Sequence, residues 1–454
     1  MAKNLYSQGL QRLLKWWPSA QPALRARRWT RRYQDSIPAL VELLEPRKLL
    51  TPTPASFTAF QAGNTLIITS PQPNYNVSDL DFIFFTAGLG NPSTTLTLNC
   101  SNGTKVNGNP GVQFFAGVNS VTAFLGNGDD HLTLHAGVPN GAQIGSLSLF
   151  LSGGINSVNT NNVQVVGSTL IESSAGQVDL NAANTTFSQG LTLIGGQSTD
   201  SVEFNSSSAF GTATFLMGGG TSTLFFDHST LGSTLIIGSG SVDLTAQALT
   251  QFTSLTVLGG TAADHIEIQS STTVVGGTTL LLGGGANHVD VSGSSFQGHT
   301  FIEAGAGSLV MTTDTSSFTN GLLLIGGTAQ PDSISFVNSS FSGGETFLLG
   351  ANSGDQFGAD YSSFGGQFTL FASAATDVFV ETSVPNAQPG TVFLGPASFF
   401  VGANSLLYFG HDPLPSDPTK FNSGLTIFAG AGSKLRRRVV TVTGTTTLSG
   451  TTDI

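Results

Sequence analysis

The sequence predicts an all-β fold, a right-handed parallel β-helix or solenoid with rungs of about 22 residues, preceded by a basic leader. Three observations carry this. The 454 residues include 57 Gly and 33 Phe but only 9% charged residues. Ser, Thr, Asn and Gly fill the spaces between short apolar runs, which suits many short strands and turns. Second, one strand edge recurs: Leu191-Thr-Leu-Ile-Gly-Gly196, Leu255-Thr-Val-Leu-Gly-Gly260 and Leu322-Leu-Leu-Ile-Gly-Gly327. Third, each copy is followed by a turn aspartate and an alternating strand, at Asp200–Phe204, Asp264–Ile268 and Asp332–Phe336.

Residues 1–50 are a different kind of sequence, with 10 Lys+Arg against 3 Asp+Glu. They lack the continuous apolar stretch of a standard secretory peptide, since Ile37–Leu44 is broken by Pro38 and Glu42. Residues 57–116 alternate, as in Thr65–Thr69 and Thr95–Leu98, and read as a β-rich cap or small leading domain. The solenoid itself is expected over 117–454, with its register loosened at 385–421 by six prolines. The unit ends set the period. Phe187, Phe210, Leu231, Phe252, Val275, Phe296, Phe318, Phe341 and Phe364 recur at intervals of about one rung. A unit this short cannot bury its own apolar face, so units must stack and pair each strand with its copy. These nine side chains are expected to form one buried column. Right-handed crossovers follow from the usual preference of parallel strands.

Charge and cysteine content exclude several classes. Residues 51–433 hold only Lys105 and Lys420 against 23 acids, so no nucleic-acid partner is expected. Cys100 is alone, so neither an intrachain disulfide nor a cysteine zinc site can form. No apolar stretch is long enough for a transmembrane span.

Leu44-Glu45-Pro46-Arg47-Lys48-Leu49-Leu50 resembles the LEPR-x-L-L motif near the N-terminus of many large extracellular planctomycete proteins. The resemblance implies export to the cell surface or beyond, with removal of the leader near Thr51–Ser56. It implies no activity. Gly126-Asn-Gly-Asp129-Asp130-His-Leu132 resembles one copy of the calcium-binding nonapeptide of hemolysin-type (RTX) repeats, with Leu125 where the first glycine belongs. Gly195–Val202 and Gly259–Ile266 match it in part. In that family the copies are tandem, whereas here they recur at the rung period, so the geometry is not reproduced. The same residues also suit a plain Gly/Asn/Asp turn.

Asp332, Asp355 and Asp377 recur at intervals of about one rung and are expected to stack at one turn position. Like charges about 5 Å apart are relieved by protonation, by turn amides, by a bound cation, or by solvent. The metal-ligand candidates are therefore Asp129, Asp130, Asp332, Asp355 and Asp377, with Ca²⁺ as the candidate ion and no other cofactor. No catalytic residue stands out. A glycoside hydrolase needs two carboxylates flanking a bond, which Asp129/Asp130 could supply, but the pectinase-like motifs are not met. The seven histidines, at 131, 135, 228, 265, 288, 299 and 411, read singly as exposed strand or turn residues.

The expected function is a non-catalytic extracellular or cell-surface structural or adhesive solenoid, with polysaccharide or other surface components as partners. The alternatives are a carbohydrate-active β-helix hydrolase and a calcium-dependent surface-layer component.

Overall fold

The computed structural model describes residues 56–70, 77–86, 94–100, 105–137, 141–350, 353–381, 390–410 and 418–453. The basic leader and its export-like motif lie outside the described residues. Among the described residues every regular element is a strand, and the strands coil into a parallel β-solenoid of about 14 turns. Among them, no helix is long and apolar enough to cross a membrane.

One rung shows the plan. Gly190–Ile194 forms the first face, Ser201–Asn205 the second and Ser208–Ala209 the third. Thr212–Met217 then starts the next rung directly on top of the first strand. On the second face burial alternates strictly, so Val202 and Phe204 enter the body while Ser201 and Glu203 face out. Pairing between rungs is parallel and residue-matched, as in Val202 to Leu224 and Phe204 to Phe226. A one-residue slip would turn each apolar set outward, so the pattern fixes the register.

The corner between the second and third faces requires left-handed backbone. Asn162, Asn184, Ser206, His228, Thr315, Asn338 and Tyr361 all have φ between 48° and 56° there. Asn tolerates this conformation, whereas Thr315 and Tyr361 hold it against their own preference. From Asn184 onward the residue that follows is a buried Ser or Thr. Ser207 Oγ accepts from Thr185 N–H at 3.0 Å, and Ser229 Oγ accepts from Ser207 N–H at 3.2 Å. The series continues through Ser294, Ser316, Ser339 and Ser362.

The third face carries the aromatic column, one residue out of the expected phase at two places. Phe187 pairs with Ala209 and Ala209 with Leu231, while Phe252 pairs with Val274 and Val274 with Phe296. Phe210 and Val275 therefore point outward and are 58% and 43% exposed. The reason is geometric: the corner residue sets the phase, and alternation admits the third position after it whether that is Phe, Val or Ala. The rest of the column is as expected and runs further. Phe296, Phe318, Phe341, Phe364, Phe393 and Phe421 stack with ring centroids 4.7–5.0 Å apart and planes within 10°. That spacing is the inter-strand distance, so the rung height imposes offset ring stacking. The last two steps, Phe364 to Phe393 and Phe393 to Phe421, cross longer rungs, yet parallel pairing continues across them.

Antiparallel pairs close the N-terminal end. Ser56–Ala62 pairs with Thr65–Thr69, and Val77–Thr86 with Thr94–Cys100, before the first parallel rung forms on Ser120–Phe124 and Asp130–Ala136. A strand edge that would invite further pairing is thereby covered.

Phe318→Ala removes a ring stacked on both sides and should destabilise by about 3–5 kcal/mol. Phe210→Ala should change stability by less than about 1 kcal/mol. Parallel thermal and urea unfolding of the two variants checks this. Equal losses would contradict the phase described here.

Candidate functional site

The turn aspartates are internal. The head of each second-face strand lies on one continuous buried line, read through the pairings as Asp130, Asn156, Val178, Asp200, Ser222, Val242, Asp264, Asn287, Leu309, Asp332, Asp355, Thr376, Ser405 and Ser433. Each is buried. Strands stop at this corner, so their amides need acceptors from elsewhere. The polar members supply them. Asp200 takes the N–H of Val178 at 3.0 Å, Asp264 that of Val242 at 2.8 Å, and Asp332 that of Leu309 at 2.8 Å.

A second set of amides comes from the Gly-Gly turns. Asp332 also accepts from Gly327 in its own rung at 3.0 Å and from Gly350 in the next rung at 3.1 Å. One carboxylate therefore ties three successive rungs. Asp200 bonds Gly218 and Asp264 bonds Gly283 in the same way. This accounts for the recurrent glycine. A Cβ on Gly195, Gly259 or Gly326 would overlap the carboxylate oxygen of Asp200, Asp264 or Asp332. The two segments that match the hemolysin-type nonapeptide in part, Gly195–Val202 and Gly259–Ile266, are thus braces, with Asp200 and Asp264 turned into the body. Burial pushes the carboxyls of Asp200 and Asp264 above the usual range, and the amide bonds only partly offset this.

Asp332 and Asp355 do occupy one turn position in consecutive rungs, and Asp355 Oδ1 accepts the N–H of Asp332 at 3.0 Å. A backbone amide is thus one relief that the structure shows. Burial, then the charge of Asp332, raises the Asp355 carboxyl, against bonds from Asp332 N–H and the Ser373 hydroxyl. Asp377 is not the third member. It pairs with Gln356, one residue past the corner, and Thr376 stands at the aspartate position. The Thr376 hydroxyl donates to the Ser373 carbonyl at 2.9 Å, so counting aspartates alone gives the wrong phase. Asp129 and Asp130 are adjacent but separated in environment. Asp130 heads the buried line, while Asp129 is half-buried and accepts the N–H of Ile155 at 2.8 Å.

Glu345 is the other buried carboxyl. It begins the first-face strand Glu345–Leu348, between Leu322 and Phe368 of the neighbouring rungs. Among the described residues neither carboxyl oxygen has a hydrogen-bond partner in another residue. Burial raises its pKa to about 8, against a lowering effect of its own amide.

The outer surface carries a cluster that the histidine spacing conceals. His265 and His288 stand one rung apart and pair directly on the second face. Asp290 lies further along the same strand as His288, on the same outward side. His288 Nε2 lies 2.6 Å from Asp290 Oδ2, and His265 Nε2 lies 4.0 Å from the same oxygen. His265 Nδ1 lies 3.0 Å from Asp243 Oδ1 on the preceding rung. Among the described residues, His265, His288 and Asp290 are the group that could hold a metal ion, with one ligand atom from each within 4.8 Å of the others. Beside them runs a shallow groove of about 490 Å³, lined by Glu267, Asp290, Thr312, Asp314 and Ser335. On the first face Phe371, Phe400 and Phe428 stack outward at 4.7 and 5.4 Å, with Phe371 and Phe428 exposed.

Fold and surface together define a parallel β-solenoid braced by buried carboxylates, with a His/Asp cluster on one outer face. Comparison with protein-family models, curated proteins and solved structures gives no match.

Glu345 makes stability depend on pH with a definite sign. Its folded pKa lies above its unfolded value, so the folded state binds the extra proton. Its full contribution is present below pH 4.5 and is lost as pH rises towards about 8. By pH 7 the loss is on the order of 3 kcal/mol. Glu345→Leu should raise the unfolding temperature at pH 8 and change it much less at pH 4. Thermal scans of both proteins at the two pH values check this, and an equal shift at both would contradict it.

Proposed function

We propose that this chain is a non-catalytic extracellular structural or adhesive solenoid that engages polysaccharide or other cell-surface components. The observation that carries the reading is the residue-matched ladder of pairings from Asp130 to Ser433, which stacks the strands of successive rungs on one another. Rods of stacked repeats present long surfaces suited to contact along their length. The turn carboxylates that the sequence offers to a hydrolase are engaged elsewhere: Asp200, Asp264, Asp332 and Asp355 accept backbone amides at the corners, and Asp129 holds the Ile155 amide. The outward ladder of Phe371, Phe400 and Phe428 offers exposed apolar surface of the kind that marks contact sites. The leader motif at 44–50 supports export.

Three measurements on one preparation test this. Protein recovered outside the cell should begin after Leu50. It should co-sediment with isolated cell envelopes or insoluble polysaccharide, and Phe371→Ser with Phe428→Ser should weaken that binding. It should release no reducing ends. Release of reducing ends that disappears in Asp129→Asn would replace this reading with the hydrolase.

A further inference from the structure

We propose that His265, His288 and Asp290 bind a divalent transition-metal ion of the zinc class on the second outer face of the solenoid. The parallel register brings the two imidazoles side by side, with ring centroids 5.5 Å apart. Both then face a single oxygen, Asp290 Oδ2, at 2.6 and 4.0 Å. Around a tetrahedral ion with bonds of about 2.0–2.2 Å, ligand atoms stand roughly 3.3–3.6 Å apart. Small side-chain rotations on three exposed or half-buried residues open the short distance and close the long one. The strands beneath them need not move.

Each flank of the cluster is held by a further partner. Asp243 lies against His265 Nδ1, which leaves Nε2 directed towards Asp290. The Thr312 hydroxyl donates to Asp290 Oδ1, which leaves Oδ2 for the ion. Such partners orient metal ligands and raise their basicity. The surrounding field favours a cation, since Asp243, Glu267 and Asp290 lie on this face and the sequence has no Lys or Arg between Lys105 and Lys420. Two imidazoles and one carboxylate select zinc, copper or nickel over calcium and magnesium, which prefer all-oxygen sites. Three protein ligands leave one position of a four-coordinate ion open. It faces solvent beside the groove at Glu267 and Thr312, where water or a ligand from a bound partner can enter.

The test is a calorimetric titration of the chelator-treated full chain with Zn²⁺, repeated with Co²⁺ while its visible d–d bands are recorded. One equivalent of Zn²⁺ should bind, and Co²⁺ should give the intense bands of a four- or five-coordinate site. His288→Gln and Asp290→Asn should each abolish that equivalent. Asp243→Asn should weaken it by about 10–100-fold. His299→Gln, a change at an exposed histidine on another part of the rung, should bind like the parent. All of these positions lie on the surface, and circular dichroism identical to the parent assigns any loss to the ligands. No binding by the parent would overturn the proposal. So would binding that survives both His288→Gln and Asp290→Asn, or equal displacement of Zn²⁺ by equimolar Ca²⁺.

Discussion

The backbone amides at the corners are the constraint on which the rest depends. Along each face the strands satisfy one another through parallel pairing, but a coil must turn, and at each turn the ladder stops. Buried amides left there would each cost roughly 1–3 kcal/mol, repeated at every rung. This chain meets the constraint with two internal lines rich in short polar side chains. One runs from Asp130 to Ser433 and includes the carboxylates that reach the Gly-Gly turns. The other follows the left-handed corner residues and is made of Ser and Thr. Because these acceptors take amides from neighbouring rungs as well as their own, the lines also fix how rungs sit on one another. The aromatic column at 4.7–5.0 Å is possible because that registration is uniform.

Fixing the interior this way frees the outer positions. Residues that alternate outward on the second face do not pack in the core, so they can be Asp, Glu or His without disturbing the fold. A pair one repeat apart becomes a pair of neighbours, as His265 and His288 show. The same rule places Phe371, Phe400 and Phe428 in an outward stack. Any surface chemistry in such a solenoid is therefore written at intervals of one rung, not in local motifs.

That rule explains what could be read from the sequence. The period, the parallel stacking and most of the aromatic column follow from spacing alone, because apolar alternation and the Gly-Gly turns repeat. The phase at the third face does not. Phe210 stands next to Ala209 and is the larger apolar residue, so it attracts the assignment, although counting three from the left-handed Ser206 selects Ala209. Asp377 fails for a related reason, since the corner position of that rung is taken by its neighbour Thr376, whose hydroxyl bonds the Ser373 carbonyl. The stacking of Asp332 and Asp355 follows from spacing, but their burial does not; for Asp332, as for Asp200 and Asp264, the signal is the glycine before the turn, since Gly326, Gly195 and Gly259 leave the space that the carboxylate fills. The His/Asp cluster is hidden from any search for metal spacing within one strand, because its two histidines are neighbours only across a full rung.

The central claim is that buried side-chain acceptors at the corners hold the rungs in register. Hydrogen exchange at single-residue resolution in Asp332→Ala tests it most directly. The amides of Leu309, Gly327 and Gly350, drawn from three rungs, all bond this one carboxylate. The account predicts that these three lose protection together, while amides in the middle of the flanking strands, such as Met311 and Phe336, keep theirs. Unchanged protection at all three, with the solenoid intact, would contradict it.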